Sequence, residues 1–149
     1  MASSASEQLN IVTEINETRN HIETMATLAS IRHSIDTRDE FYDAEQNYWD
    51  EYGPLYEEIN SLFYDAVVSS PYRNELEEKL SKQFFTILDY RLKAFSPEII
   101  ADLQEENKLS SQYTKLLASA KIPFDGEERT LPGMGKYLLS EDRTVREAA

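Results

Sequence analysis

Thr37 to Tyr64, TRDEFYDAEQNYWDEYGPLYEEINSLFY, decides how the rest of the chain is read. It holds 8 of the chain's 16 aromatic residues, and between Asp39 and Glu58 it carries eight carboxylates and no Lys or Arg. So aromatic a segment has to bury one face, and so acidic a segment has to keep another in water. Thr37-Arg38-Asp39-Glu40 has the spacing of a capping box, in which the Thr hydroxyl accepts from an early backbone N–H and the Glu reaches back to the cap. Gly53-Pro54 interrupts the pattern. Proline lacks an N–H and clashes with the preceding turn, so a break or kink is expected there. Beyond it Leu55, Ile59, Leu62, Phe63, Ala66 and Val67 recur at helical spacing. The reading is two successive helices, over 38–52 and 54–69, with the other helices packed on them.

Working outward, a helical pattern runs from Glu7 to about Ser34, with Ile11, Ile15, Thr18, Ile22, Met25 and Ala29 on one face and Ile31 and Ile35 prolonging it. Asp36-Thr37 is then a short turn, which makes the two helices antiparallel neighbours. Residues 1–6 are small and polar and are expected to be disordered. On the other side, Ser70-Pro71 and Ser96-Pro97 each give a Ser N-cap with Pro at the first helical position. The helix after the first carries Leu76, Leu80, Phe84, Ile87, Leu88, Leu92 and Phe95, each contributing roughly 1.5–3 kcal/mol when buried. The helix after the second, to about Ser119, has a weaker face. Ile100, Leu103 and Leu117 are interrupted by Asn107, Ser110 and Ser111, which fits either close backbone packing or a polar face lining a cleft.

The pattern changes at Lys121. Asp125-Gly126 is a hairpin signal between Ile122–Phe124 and Arg129–Leu131, with a loop longer than two residues. Leu131–Leu139 reads as a short helix. Ser140 caps another, with Glu141 and Asp142 in its first turn, where the helix dipole favours them. The chain stops soon after that fresh start, and a fragment of a longer protein is the expectation. The fold class is therefore mostly α, an antiparallel helical bundle with a short β-hairpin near 121–131. The organisation expected is a helical lobe over 7–120, then 121–149 as hairpin and start of a further helical region.

The composition narrows the function. One hundred and forty-nine residues suit one domain, and a net charge of −13 argues against nucleic acid and against anionic membrane surfaces. With no cysteine, thiol catalysis, disulfides and thiolate metal sites are excluded, and a cytoplasmic location fits. The start, MASSASEQLN, has neither the basic nor the apolar region of a secretory signal, and no stretch reaches the roughly 18 apolar residues of a membrane span. A zinc helix of the HExxH type needs a second His four residues after the first, but Met25 follows His21 and Thr37 follows His33 at that spacing. A di-iron bundle needs Glu three residues before its His, where Thr18 and Ser30 stand. His33 with Asp36 reads as a hydrogen-bonded pair at a helix end. Gly133-Met134-Gly135 lacks the third glycine of a phosphate loop, Leu138 standing there. Asp39, Asp43, Asp50 and Glu51 read as a solvated face. Tyr42, Tyr48, Trp49, Tyr52 and Tyr56 read as helix packing, with stacking on a ligand as the sharper alternative.

Four passages nevertheless resemble the N-terminal helical region of the oligoendopeptidase F family, zinc metallopeptidases related to thimet oligopeptidase. They are MATLASIRHSIDTRDEFYDAE (25–45), Tyr-Gly-Pro-Leu-Tyr-Glu-Glu (52–58), SPEIIADLQEENKLSSQYTKLLASAKIPFDGEERTLPGM (96–134) and SEDRTVREAA (140–149). The most specific part is KIPFDGEERTL followed by a capped helix with Asp-Arg and Val-Arg. The resemblance implies a parent several times longer that cleaves short peptides in a channel between two helical lobes. There an HExxH helix and a downstream Glu hold zinc, and the HExxH Glu is the general base. None of those residues occurs here, so no catalytic, cofactor or metal residue is carried over. The expected role is an N-terminal lobe that walls the channel, with the 107–114 face or the aromatic stretch lining it. Its partners would be the catalytic lobe and, for the parent, short peptides. A self-contained acidic helical interaction module, with 39–58 as contact surface, is the alternative.

Overall fold

The computed structural model describes residues 4–149. The chain divides into two compact units, Met1–Lys108 and Leu109–Ala149, with the boundary inside a helix.

The first unit is a bundle. Its frame is a pair of long helices, α1 (Ala5–Ile35) and α2 (Glu40–Val68), followed by α3 (Arg73–Leu80), α4 (Lys82–Ala94), a 3₁₀ turn over Pro97–Ile99, and the first part of α5 (Ile100–Ser119). Helix α1 starts earlier than its apolar pattern. Ser4 accepts from the Glu7 backbone N–H, so Ala5 and Ser6, expected to be disordered, are helical, and Ala5 is buried. Residues 1–3 lie outside the described part. Contacts from Gln8–Ser70 at one end through Arg19–Tyr64 to Arg32–Glu45 at the other make α1 and α2 antiparallel. The seam on α1 runs through Val12, Ala29 and His33; of the expected face Ala29 is buried and Ile15 and Ile22 are half-buried, while Ile11, Thr18 and Met25 lie exposed. Arg19 and His33 inside the seam disguise it, because a polar residue type does not announce a packed position.

Helix α2 is capped by Asp39, whose carboxylate accepts from the Phe41 and Tyr42 N–H groups, and not by Thr37. An ionised carboxylate at a helix N-terminus gains from the dipole as well as from the hydrogen bonds. The expected break at Gly53-Pro54 does not occur: α2 is one helix with Pro54 inside it, buried. The single predicted helix over 71–95 is instead two. Ser81 takes φ +76°, which ends α3, and its hydroxyl then accepts from Phe84 N to start α4. The break resets the helical phase. Phe85, off the expected face, therefore joins Leu88 in the core while Ile87, on that face, is exposed. Val12, Tyr64, Val67, Leu76, Phe85 and Leu88 form that core.

The second unit holds the rest of α5, β1 (Ile122–Phe124), β2 (Glu127–Arg129), α6 (Leu131–Leu138) and α7 (Arg143–Ala148). The strands are antiparallel, with Ile122 opposite Arg129 and Phe124 opposite Glu127. The loop is only Asp125-Gly126, shorter than expected, and both residues have positive φ, 53° and 75°. That geometry matches the right-handed strand twist, and Asp-Gly tolerates it. Thr130 caps α6 by accepting from Gly133 N, and Phe124 packs on Tyr137 with ring centroids 4.7 Å apart. The cap of α7 is Asp142 and not Ser140, whose hydroxyl accepts from Asp142 N.

Candidate functional site

The chemistry-bearing residues concentrate on α2 and on what meets it within the first unit. Proline 54 has no N–H to give the Asp50 carbonyl, and its ring crowds that carbonyl. Helix α5 supplies side-chain donors instead. Asn107 Nδ2 donates to Asp50 O at 3.3 Å, and Gln104 Nε2 donates to Glu51 O at 2.7 Å. This explains why polar residues interrupt the weak apolar face of α5: Asn107 serves the backbone of another helix. It also explains how Pro54 is tolerated mid-helix, since a buried carbonyl needs a partner.

Beside this seam lies a cleft of about 320 Å³, lined by Trp49, Gly53, Pro54 and Tyr56 of α2, Ile22 and Ala26 of α1 and Leu103 of α5. The Tyr56 hydroxyl is buried there without a hydrogen-bond partner among the described residues. The lining is largely apolar, so the cleft suits a ring or an aliphatic group more than a charge.

The acidic residues do not form one solvated face. Asp39 is a helix cap, and Asp50 is 4% exposed with Gln46 Nε2 donating to its carboxylate at 2.7 Å. Asp43 lies beside His33, and Glu51 is exposed. The aromatic cluster follows the packing reading only in part, with Tyr42, Trp49 and Tyr56 half-buried. Tyr48 and Tyr52 stand half in water, stacked at 4.7 Å, while Trp49 meets Tyr48 edge-on at 5.4 Å.

Neither histidine sits in a ligand set. His21 is exposed, and His33, 4% exposed, has Nε2 3.6 Å from Asp43 Oδ1, longer than a hydrogen bond. Asp43 thus replaces Asp36 as its neighbour. Asp36 instead accepts from the Arg38 N–H at 3.0 Å and from its guanidinium at 3.3 Å, which together hold its carboxyl below the usual 3.8. Among the described residues no group of three or more His, Asp or Glu is placed to hold a metal ion. Gly133-Met134-Gly135 lies within α6, where the Gly133 N–H is committed to the Thr130 hydroxyl.

The sequence gives no signal for one cluster. The Tyr64 hydroxyl, between α1, α2 and α4, accepts from Arg19 at 2.6 Å and from Arg91 at 3.0 Å. Both guanidinium groups also lie over its ring, at 5.0 and 5.7 Å from the centroid. Arg19 is held further by Asn16 and Glu23. Charge-assisted bonds of this kind are stronger than neutral ones, so the cluster fastens three helices together.

The sequence pattern of the peptidase M3 N-terminal domain matches residues 1–95. Three solved structures resemble the chain, each with a TM-score of 0.93. A 3.1 Å structure of an oligoendopeptidase F is 49% identical, over 98% of this chain and 26% of its own. An oligoendopeptidase F from Bacillus anthracis is 47% identical, over 99% and 27%. PZ peptidase A, solved with an inhibitor, is 51% identical, over 98% and 26%. No curated protein matches. The chain thus spans about a quarter of the length of the structures it resembles. It belongs to the oligoendopeptidase F family of M3 peptidases and corresponds to that family's N-terminal region.

Proposed function

We propose that this chain is the N-terminal lobe of an oligoendopeptidase F-like zinc metallopeptidase that hydrolyses short peptides. In that reading the lobe walls the substrate channel and helps to keep folded proteins out, while the catalytic residues lie elsewhere in the polypeptide. What carries the reading is identity of 47–51% sustained over 98–99% of the chain. Unrelated bundles share an architecture without sharing side chains at this level.

The residues present do not fit zinc. A catalytic zinc takes three protein ligands and an open position, whereas His21 and His33 both come from α1 and His33 is enclosed between the two long helices. No catalytic step is therefore assigned to residues 1–149. Their work is steric and electrostatic. The acidic surface of α2 would favour the approach of cationic peptides and of a basic partner surface. A cytoplasmic location belongs to the same proposal. It is supported by the absence of cysteine, and no helix among the described residues is long and apolar enough to cross a membrane.

Two measurements test this. A blot or intact mass of the native polypeptide should give a product several times heavier than 17.2 kDa. The isolated 149-residue chain should neither bind zinc tightly nor cleave a short peptide. Zinc-dependent cleavage by the pure chain overturns the proposal.

A further inference from the structure

Helix α2 carries a second apolar face that the other described residues of the first unit leave exposed. Phe41, Tyr48, Tyr52, Leu55, Ile59 and Leu62 are all exposed, Ile59 by 64% and Leu62 by 68%. Their spacing of seven, four, three, four and three residues places them on one stripe of the helix, as at a helix–helix seam. The stripe runs about 30 Å, at 1.5 Å per residue. At its end Leu62 leads into a groove of about 620 Å³, which Ile11, Ile15, Ala66 and Pro71 also line. Contiguous apolar surface on this scale marks an interface, because leaving it in water forfeits its burial energy.

Charge selects the occupant. From Asp39 to Tyr72 there are nine carboxylates and no Lys or Arg, and Glu40, Glu51, Glu58 and Asp65 adjoin the stripe. A second copy docking face to face would set two such acidic helices against each other, and like charges across an interface cost several kcal/mol. The partner surface needs an apolar centre and a basic rim. Roughly three quarters of the length of the matched peptidases lies outside the part this chain covers.

We infer that the Phe41–Leu62 stripe is the docking face for the portion of the longer peptidase polypeptide outside residues 1–149, through an apolar ridge flanked by Lys and Arg. This rests on the peptidase reading above. It adds which surface of the lobe is an internal interface and which chemistry meets it.

Thiol accessibility tests it, because residues 1–149 contain no cysteine. I59C, L62C and, as a control on α3, E78C are each placed in the 149-residue chain and in the full-length polypeptide that carries it. Alkylation by iodoacetamide is followed at each site by peptide mass spectrometry. All three side chains are exposed in the 149-residue chain, so none of the changes touches the core; matching circular dichroism melts check this. The expected result is that I59C and L62C react at least about tenfold more slowly in the full-length polypeptide, with E78C unchanged. Equal rates in the two contexts overturn the inference and leave the peptidase reading standing. Protection already present in the 149-residue chain and growing with its concentration assigns the face to a second copy and overturns it. Protection that arises only when a short synthetic peptide is added assigns the face to the substrate channel and overturns it too. A native polypeptide of only 17.2 kDa removes the peptidase reading itself and the proposed occupant with it.

Discussion

If Pro54 creates the need that Asn107 meets, the two residues are energetically coupled, and a double-mutant cycle measures the coupling. In the wild-type chain, Asn107→Ala removes the amide that donates to Asp50 O at 3.3 Å. A neutral hydrogen bond contributes roughly 0.5–1.5 kcal/mol net, and removing the donor to a buried acceptor adds a desolvation cost. Asp50 is 4% exposed, so a loss of about 1–2 kcal/mol is expected. In Pro54→Ala, position 54 regains an N–H, which bonds Asp50 O within α2 as in any helix interior. Asn107→Ala should then cost less than about 0.5 kcal/mol. The coupling energy is thus about 1 kcal/mol, beyond the roughly 0.3–0.5 kcal/mol within which independent sites add. Urea unfolding followed by tryptophan fluorescence suits the measurement, because Trp49 is the chain's one tryptophan and lines the same cleft as Pro54 and Asn107. Equal losses from Asn107→Ala in the two backgrounds would refute the reasoning. Asn107 would then be a surface amide whose position beside the proline carries no energy.

Three further outcomes are expected. Tyr64→Phe removes the acceptor of two guanidinium groups at 2.6 and 3.0 Å but leaves the ring in place. Arg19 keeps Asn16 and Glu23, so the loss in urea should be about 2–3 kcal/mol, and a loss below about 0.5 kcal/mol would show that the cluster does not fasten the helices. Ser81→Gly exchanges a hydroxyl cap at 3.4 Å for relief of φ +76°, ψ 152°, a region only glycine adopts without strain. Thermal melts should rise by the equivalent of about 1 kcal/mol, and a fall would show that the cap outweighs the strain. The Asp36 carboxyl titrates below its usual 3.8 because Arg38 donates to its ionised form. A depressed folded-state pKa adds stability above the unfolded value and loses it as pH falls through the folded one. Asp36→Asn should therefore melt lower than wild type near pH 6, with the gap closing below about pH 3.8. A gap that is independent of pH rejects the carboxylate's role.

How far the sequence reaches differs from element to element. Helix α1, the Ser96-Pro97 start, the Asp-Gly hairpin and the short helix after it are all legible. Each depends on local rules: periodicity, a cap, or a residue tolerant of positive φ. The family resemblance is legible for a related reason, since it rests on runs of side chains in order and not on contacts. Caps are less secure, because Thr37 and Asp39, or Ser140 and Asp142, are equally good candidates by type. Only the path of the backbone chooses between them, and in both cases it chooses the aspartate.

The sequence by itself determined that this is an acidic, cysteine-free, mostly helical chain of the oligoendopeptidase F type, because composition, periodicity and side-chain order are properties of the chain alone. Tertiary structure decided the rest. Pro54 stays inside one long helix because side chains fifty residues later serve the carbonyls it disturbs. Phe85 and not Ile87 enters the core because one residue, Ser81, resets the phase between two helices. Asp50 is buried and Ile59 exposed, against their own hydropathy, because burial is settled by which face of α2 the neighbouring helices cover. Periodicity announces that a helix has faces. Which of two apolar stripes is used inside this bundle, and which is left exposed, depends on contacts between residues far apart in the chain, and no local pattern encodes them.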